Sequence, residues 1–500
     1  MYILCLSEEA SRAIDIASQP PIQSRHGQEE KFIEGDGMIK RIVIALTAVL
    51  TVQAAGAEAP AAVRAQARDI FQTVIGFKTS EGFGQVPAMA EYLAGKFRAG
   101  GFPAEDVHAL PIGDTAALVV RYRGSGEGGK PIVLLAHMDV VTAKPEDWER
   151  DPFKLIEENG TFFGRGTADV KSEVTLLTTT FLRLKAEKFV PTRDLIIAFS
   201  GDEETTMATA KALSQQHRDL IDAEFALNGD GGGGMLDDMT GAPLLYRVQG
   251  AEKSYASYDL TVRNPGGHSS QPRVDNAIYE LADALRKLQA YQFPVMWNDW
   301  TIGSLKAAAS VTPGPLGEAM GRFAANPGDA SAAAVLATEP SIVGRTCTTC
   351  VATMLRGGHA DNALPQSATA TVNCRIFPGT SVEDVRTSLQ QVVGDKVKVK
   401  VLGEPHSSSP SPMRQDVMDA VAKAVHASYP GVKLVPDMAP YATDGSVYRG
   451  AGIPTYGVSS LFMKNSDDFS HGLNERISVA SFYAGLDHWY VLLKTFAGER

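Results

Sequence analysis

The stretch Pro131-Ile-Val-Leu-Leu-Ala-His-Met-Asp139 narrows the choice of fold more than any other part of the chain. An unbroken aliphatic run from Ile132 to Ala136, with no polar alternation, predicts a strand covered on both faces, as inner strands of parallel sheets are. The run delivers His137 and Asp139 just past its carboxyl end, the edge where open α/β sheets carry their chemistry. Residues two apart in an extended chain share a side. Asp139 can therefore accept the second ring N–H of His137 and decide which nitrogen is left for a metal. A His-x-Asp of this kind is also what a satisfied core histidine looks like, so the decision falls to the rest of the chain.

From Glu58 to Gly101 the pattern is helical, with Val86, Met89, Tyr92, Leu93 and Phe97 along one face and Gly100-Gly101 as the stop. Leu118 to Tyr122 reads as a short strand. The glycine-punctuated loop Gly164-Arg-Gly-Thr-Ala-Asp-Val-Lys171 opens a helix from about Ser172 to Lys185, whose apolar face docks on the sheet. Asp169 stands just before that helix, as an N-cap or as a carboxylate kept ionised for a metal. Leu195 to Phe199 is a second buried strand and ends in Ser-Gly-Asp-Glu-Glu204, three adjacent acids that repel one another unless a cation compensates them or solvent separates them. A third strand, Phe225 to Leu227, leads into Asn228-Gly-Asp230 and a run of glycines. No Lys-Ser/Thr follows, which argues against a phosphate-cradling loop. One histidine and several carboxylates at strand ends amount to mixed N/O ligation, suited to zinc or a similar divalent ion.

His137-Met-Asp139, Gly164-Arg-Gly-x-x-Asp169-x-Lys171 and Asp202-Glu-Glu204 resemble, in order, three signatures of the co-catalytic zinc amidohydrolases that include glutamate carboxypeptidase, acetylornithine deacetylase, succinyl-diaminopimelate desuccinylase, aminoacylase-1 and carboxypeptidase S. The resemblance implies an α/β catalytic domain, with a mostly parallel central sheet flanked by helices, and an inserted α+β, ferredoxin-like lid and dimerisation domain. It implies two zinc ions per subunit bridged by Asp169. His137 and Asp230 complete one ion, and Glu204 and His471 the other. Glu203 matches the general base, and Asp139 the residue that orients His137. Aspartate at position 230 points to the dipeptidase-like branches. Gly266-Gly-His268-Ser-Ser270 resembles the lid motif whose histidine stabilises an oxyanion in the opposite subunit. Asn362, in Gly357-Gly-His-Ala-Asp-Asn362, and Arg375, in Asn373-Cys-Arg375, resemble the stretch that holds a substrate carboxylate.

These readings divide the chain into residues 58–248 (catalytic domain, first part), 249–403 (lid) and 404–500 (catalytic domain, second part). The Ala-rich segment from about Phe293 to Gly344 exceeds what compact relatives need and has no assigned role. Upstream, Met38-Ile-Lys-Arg41, the apolar run Ile42 to Val52 and Ala55-Gly-Ala57 have the layout of a secretory signal over residues 38–57. Residues 1–37 then read as a non-native or disordered extension. A short buried helix behind a genuine N-terminal extension is the other reading of this region. Export would place the protein in a periplasm or outside the cell.

The net charge of −11 offers no basic face to a nucleic acid, and no apolar run reaches the length of a membrane span. Cys347-Thr-Thr-Cys350 lacks a second pair to complete a four-cysteine zinc site. A structural disulfide, with Cys374 as a candidate partner, is the simpler reading. The expected function is that of a secreted, homodimeric zinc metallopeptidase acting on dipeptides or short peptides with a free C-terminal carboxylate. The alternative is an N-acyl-amino-acid hydrolase.

Overall fold

The computed structural model describes residues 58–498. The extension and secretory-signal readings lie outside the described residues. Its main sheet has ten strands. Ile132–His137 lies between Leu195–Ser200 and Phe225–Asn228 and is parallel to both. Thr455–Gly457 continues the parallel centre beyond Phe225–Asn228. The antiparallel hairpin Val107–Ile112 and Thr115–Tyr122 closes one end. Pro243–Glu252, Gly233–Leu236, Phe462–Lys464 and Lys433–Ala439 form the other.

The missing alternation in Ile132–His137 has a direct cause, because each face of the strand belongs to a different core. Ile132, Leu134 and Ala136 pack with Leu176, Leu177 and Phe181 of the helix Lys171–Ala186. Val133 and Leu135 pack with Ala210, Leu213, Val447 and Tyr448 on the opposite side. Each such aliphatic side chain contributes about 1.5–3 kcal/mol on burial, so the strand holds its register and its carboxyl end is a rigid place to mount a site. The helical pattern of residues 58–101 resolves into two helices, Ala61–Gly76 and Val86–Ala99. Gly82 and Gly84 take positive φ between them, which a continuing helix does not allow.

The inserted unit is a four-stranded antiparallel sheet in the order Thr349–Gly357, Ser367–Ile376, Ser254–Arg263, Val397–Leu402. Helices Ala277–Ala290 and Val382–Val393 cover it around a core of its own that includes Tyr258, Leu281, Val372 and Leu389. Cys350 and Cys374 face each other across this sheet and form the disulfide, leaving Cys347 free, so the C-x-x-C spacing does not close on itself.

The Ala-rich segment contains four helices, Asp299–Ala309, Gly314–Ala325, Ala330–Ala337 and Pro340–Val343. The first of them packs on the main sheet. Trp300 is buried in the main core and donates its indole N–H to the Ser411 carbonyl at 2.8 Å. Its ring lies against Gly250, where a Cβ would come within 1.9 Å of it. Ser304 and Arg345 both bond Asp437, so the segment covers the outer strand Lys433–Ala439 and masks what would be an open sheet edge. No helix among the described residues is long and apolar enough to cross a membrane.

Candidate active site

The carboxyl ends of the parallel strands converge as the sequence predicts. Asp169 is the hub: one carboxylate oxygen lies 2.9 Å from His137 Nε2 and the other 3.1 Å from His471 Nε2. His471 Nε2 also lies 2.9 Å from Glu204, and His137 Nε2 lies 3.9 Å from Asp230. His137 can group with Asp169 and Glu204, or with Glu203 and Asp230, closely enough to hold a cation. Asp169 is not a helix cap. Val170 occupies that position, no side chain bonds there, and the Asp169 carboxylate is left to the histidines.

Asp139 departs from its expected contact. The ring N–H of His137 goes to the main-chain carbonyl of Asp139 at 3.0 Å, and the carboxylate stands 3.5 Å from the ring nitrogen. The two carboxylate oxygens instead accept the backbone N–H groups of Glu203 and Glu204, at 3.1 and 3.0 Å. Asp139 thus ties the loop carrying these two acids to the strand carrying His137. Asp202, the first of the three adjacent acids, turns away and bonds the backbone N–H groups of Ala208 and Thr209 at the start of the next helix. Only Glu203 and Glu204 face the cavity. Asn228 and Asp230 lock their turn reciprocally, Asn228 accepting the Asp230 N–H and donating to its carbonyl, each at 3.0 Å. Lys171 points away and donates to the carbonyls of Val74 and Phe77.

His471 and Asn474 both sit at positive φ, 62° and 56°, a strained conformation that persists only where the surroundings over-determine it. Here the constraint is Glu475, fully buried. It pairs with Arg165 at 2.6 Å and accepts N–H groups from Gly166, Ala168 and Asp169, while Arg165 also donates to the Gly472 carbonyl at 2.9 Å. One carboxylate therefore positions both the Asp169 loop and the His471 loop. Sequence reasoning missed Glu475 and Arg165 because their pairing spans 310 residues and has no local pattern. Glu475→Ala is expected to cost about 3–5 kcal/mol, the range for a buried ion pair that loses one partner. The midpoint of urea unfolding at unchanged slope measures it, and a loss below about 1 kcal/mol, the scale of a surface pair, would refute the role.

The electrostatics describe a site short of positive charge. Burial pushes the Glu203 carboxyl well above the usual range, and the nearby charge of Asp230 adds to it. Burial does the same to Asp230, with His137 partly offsetting it. Asp169 stays well below its ordinary value despite burial, because His137 and His471 both bond it. Those bonds from Asp169 and Glu204 push His471 up to about 10. Among the described residues the two histidines are the positive groups in contact with Asp169 and Glu204, and a divalent cation compensates such carboxylates more strongly than their protons do.

The lid residues separate into two groups. Arg375 lines the same cavity of about 1190 Å³ as Asp169, Glu203, Asp230 and His471, with its guanidinium 4.9 Å from the centre of the Tyr255 ring. His268 and Asn362 sit together on an exposed two-stranded ribbon, joined by the Ser269 N–H to the Asn362 carbonyl at 3.1 Å, and they are not among the cavity-lining residues. His268 Nδ1 accepts the Ser270 N–H at 3.1 Å, which leaves the ring proton on Nε2 as a donor.

Peptidase family M20/M25/M40 matches residues 133–495. Among curated relatives, the N-fatty-acyl-amino acid synthase/hydrolase PM20D1 of Homo sapiens is 29% identical over 72% of this chain and 73% of the relative. Its Xenopus tropicalis counterpart is 31% identical over 72% and 71%. Probable carboxypeptidase S-like 2 of Dictyostelium discoideum is 26% identical over 76% and 74%. Among solved structures, the M20 family metallo-carboxypeptidase Sso-CP2 from Sulfolobus solfataricus has a TM-score of 0.65 at 16% identity, covering 86% of this chain and 99% of its own. The dipeptidase Dug1p from Saccharomyces cerevisiae has a TM-score of 0.62 at 15% identity, covering 88% and 97%. These two likenesses concern the fold.

Proposed function

The chain belongs to peptidase family M20/M25/M40, and from that premise we propose that it hydrolyses the amide bond joining an acyl group to an amino acid with a free carboxylate. Dipeptides and N-acyl amino acids both meet this description. The observation that carries the reading is Asp169, with one oxygen on each of two histidines, beside a Glu203 carboxylate that faces the cavity and accepts no hydrogen bond among the described residues. The carboxypeptidase or dipeptidase form agrees with Asp230. The N-acyl form is favoured by the relatives named for N-fatty-acyl amino acids and by a cavity roomier than a dipeptide needs.

The donor set fits a pair of zinc ions: two imidazoles and three carboxylates converging on one cavity, with His137 buried and His471 at its exposed rim. His137, Asp169 and Asp230 would hold one ion, and His471, Asp169 and Glu204 the other. Such a pair supplies Lewis-acid polarisation of the amide carbonyl and lowers the pKa of water. Glu203 takes the proton from the attacking water and delivers it to the nitrogen of the leaving amino acid. Asp139 holds Glu203 in place through the backbone, and Arg375 takes the substrate carboxylate. A panel of dipeptides and N-acyl amino acids assayed on zinc-loaded protein, before and after chelation, tests the reading. Absence of turnover on every member would refute it.

The active form is a homodimer built through the lid. Thr349–Gly357 is an outer strand that exposes Val351, Met354 and Leu355, and the adjoining helix exposes Ile278 and Tyr279. An unpaired, apolar edge of this kind invites a second copy. His268 then donates to the oxyanion of the partner's substrate. Inactive His268→Ala subunits mixed with inactive Glu203→Gln subunits are expected to regain activity, because one hybrid site recovers both groups. No recovery after verified subunit exchange would remove His268 from the partner's mechanism. The Cys350–Cys374 disulfide supports export to an oxidising compartment, periplasmic or extracellular.

A further inference from the structure

Most arginines of the described residues have an ion-pair partner, and the exceptions are informative. The unpaired ones are Arg247, Arg263, Arg286 and Arg375. Arg263 and Arg286 are solvent-exposed, as unpaired surface arginines usually are. Arg247 and Arg375 are half-buried, and both line the substrate cavity.

Arg247 belongs to the catalytic sheet, not the lid. On Pro243–Glu252 its neighbours Tyr246 and Val248 are buried in the main core, so alternation turns Arg247 to the opposite face. Directly across the sheet it meets Gly233 on one side and Val435 on the other, neither of which offers an acceptor side chain. Its Nε is buried and has no hydrogen-bond partner. A guanidinium held this way costs stability unless an anion arrives to meet it. The cavity wall shared with Arg247 includes Met235, Leu461, Met463 and Tyr441, which suit an aliphatic arm leading to that anion.

We propose that Arg247 binds a second carboxylate of the substrate, carried on a short aliphatic arm of the acyl half. The inference rests on the amidohydrolase reading above, in which Arg375 already takes the carboxylate of the amine half. Two chemical sources supply such an acyl half: a dicarboxylic-acid acyl group, or an N-terminal aspartate or glutamate.

The test compares kcat/KM for matched substrates, all with free C-termini. N-succinyl-alanine is set against N-butyryl-alanine, Glu-Ala against Gln-Ala, and N-acetyl-glutamate against N-acetyl-glutamine as an amine-half control. The wild type is expected to prefer at least one acyl-half acid by about 30-fold or more, the scale of a charge-paired contact. The succinyl pair identifies the dicarboxylic source and the Glu/Gln pair the peptide source. Arg247→Gln should bring that preference within about threefold by slowing the acid partners far more than the neutral ones, and Arg247→Lys should keep part of it. Equal wild-type rates on acid and neutral partners, a preference confined to the amine half, or an acid preference that survives in Arg247→Gln would each overturn the inference. The wild-type comparison decides even if a variant fails to fold. Turnover of none of these substrates would instead overturn the amidohydrolase reading itself.

Discussion

Replacing Glu203 with glutamine is expected to lower kcat by about 10²–10⁴-fold, the range for loss of a general base, while the protein keeps its full complement of zinc. The separation follows from geometry. Asp169 is shared by two histidines and Glu204 contacts one of them, so these side chains are engaged with the imidazoles proposed to hold metal. The Glu203 carboxylate has no such bond among the described residues, yet it borders the cavity. Glutamine matches its volume while removing the negative charge and the ability to accept a proton. The competing possibility is specific, since Glu203 can also group with His137 and Asp230 around a cation. Metal analysis of the variant decides: loss of one zinc per subunit would make Glu203 a ligand and leave the mechanism without its base.

Amidating the C-terminus of a substrate is expected to reduce kcat/KM by roughly 30- to 4000-fold, corresponding to about 2–5 kcal/mol for leaving unpaired a charge that the bound substrate covers. The unpaired partner is Arg375, which stacks near Tyr255 on the cavity wall and has no carboxylate of its own among the described residues. A carboxylate engages both arms of a guanidinium at once and carries the opposite charge, and a neutral amide does neither. Arg375→Ala should slow free-acid substrates selectively and bring acids and amides to similar rates. Comparable wild-type kcat/KM for both would exclude carboxylate recognition, and cleavage from a free amino terminus would become the better reading.

The parallel strands and the residues mounted at their ends were legible in the sequence because the signal is local. A strand covered on both faces must be apolar at every position, as Ile132 to Ala136 is, and polar residues can appear only where the strand leaves the core. His137, Glu203, Glu204 and Asp230 all stand at such exits, and Asp169 stands before a helix with an equally plain apolar face. What each acid bonds to was not legible. Asp139 and Asp202 look alike as acids beside a strand end, but one braces the Glu203 loop and the other caps a helix. Asp169 fitted an N-cap by its position alone, and only the packed fold puts Val170 at the cap and the Asp169 carboxylate beside two histidines. Likewise, the register of the lid sheet set Cys350 opposite Cys374, and Trp300 drew the Ala-rich segment onto the catalytic sheet. Glu475 and Arg247 left no sequence trace at all: one acts by pairing with a residue 310 positions away, the other by having no partner where the cavity opens. Hydrophobic burial imposes a period on neighbouring residues and can be read along the chain, whereas hydrogen bonds and ion pairs join whichever groups the packed fold brings within about 3 Å.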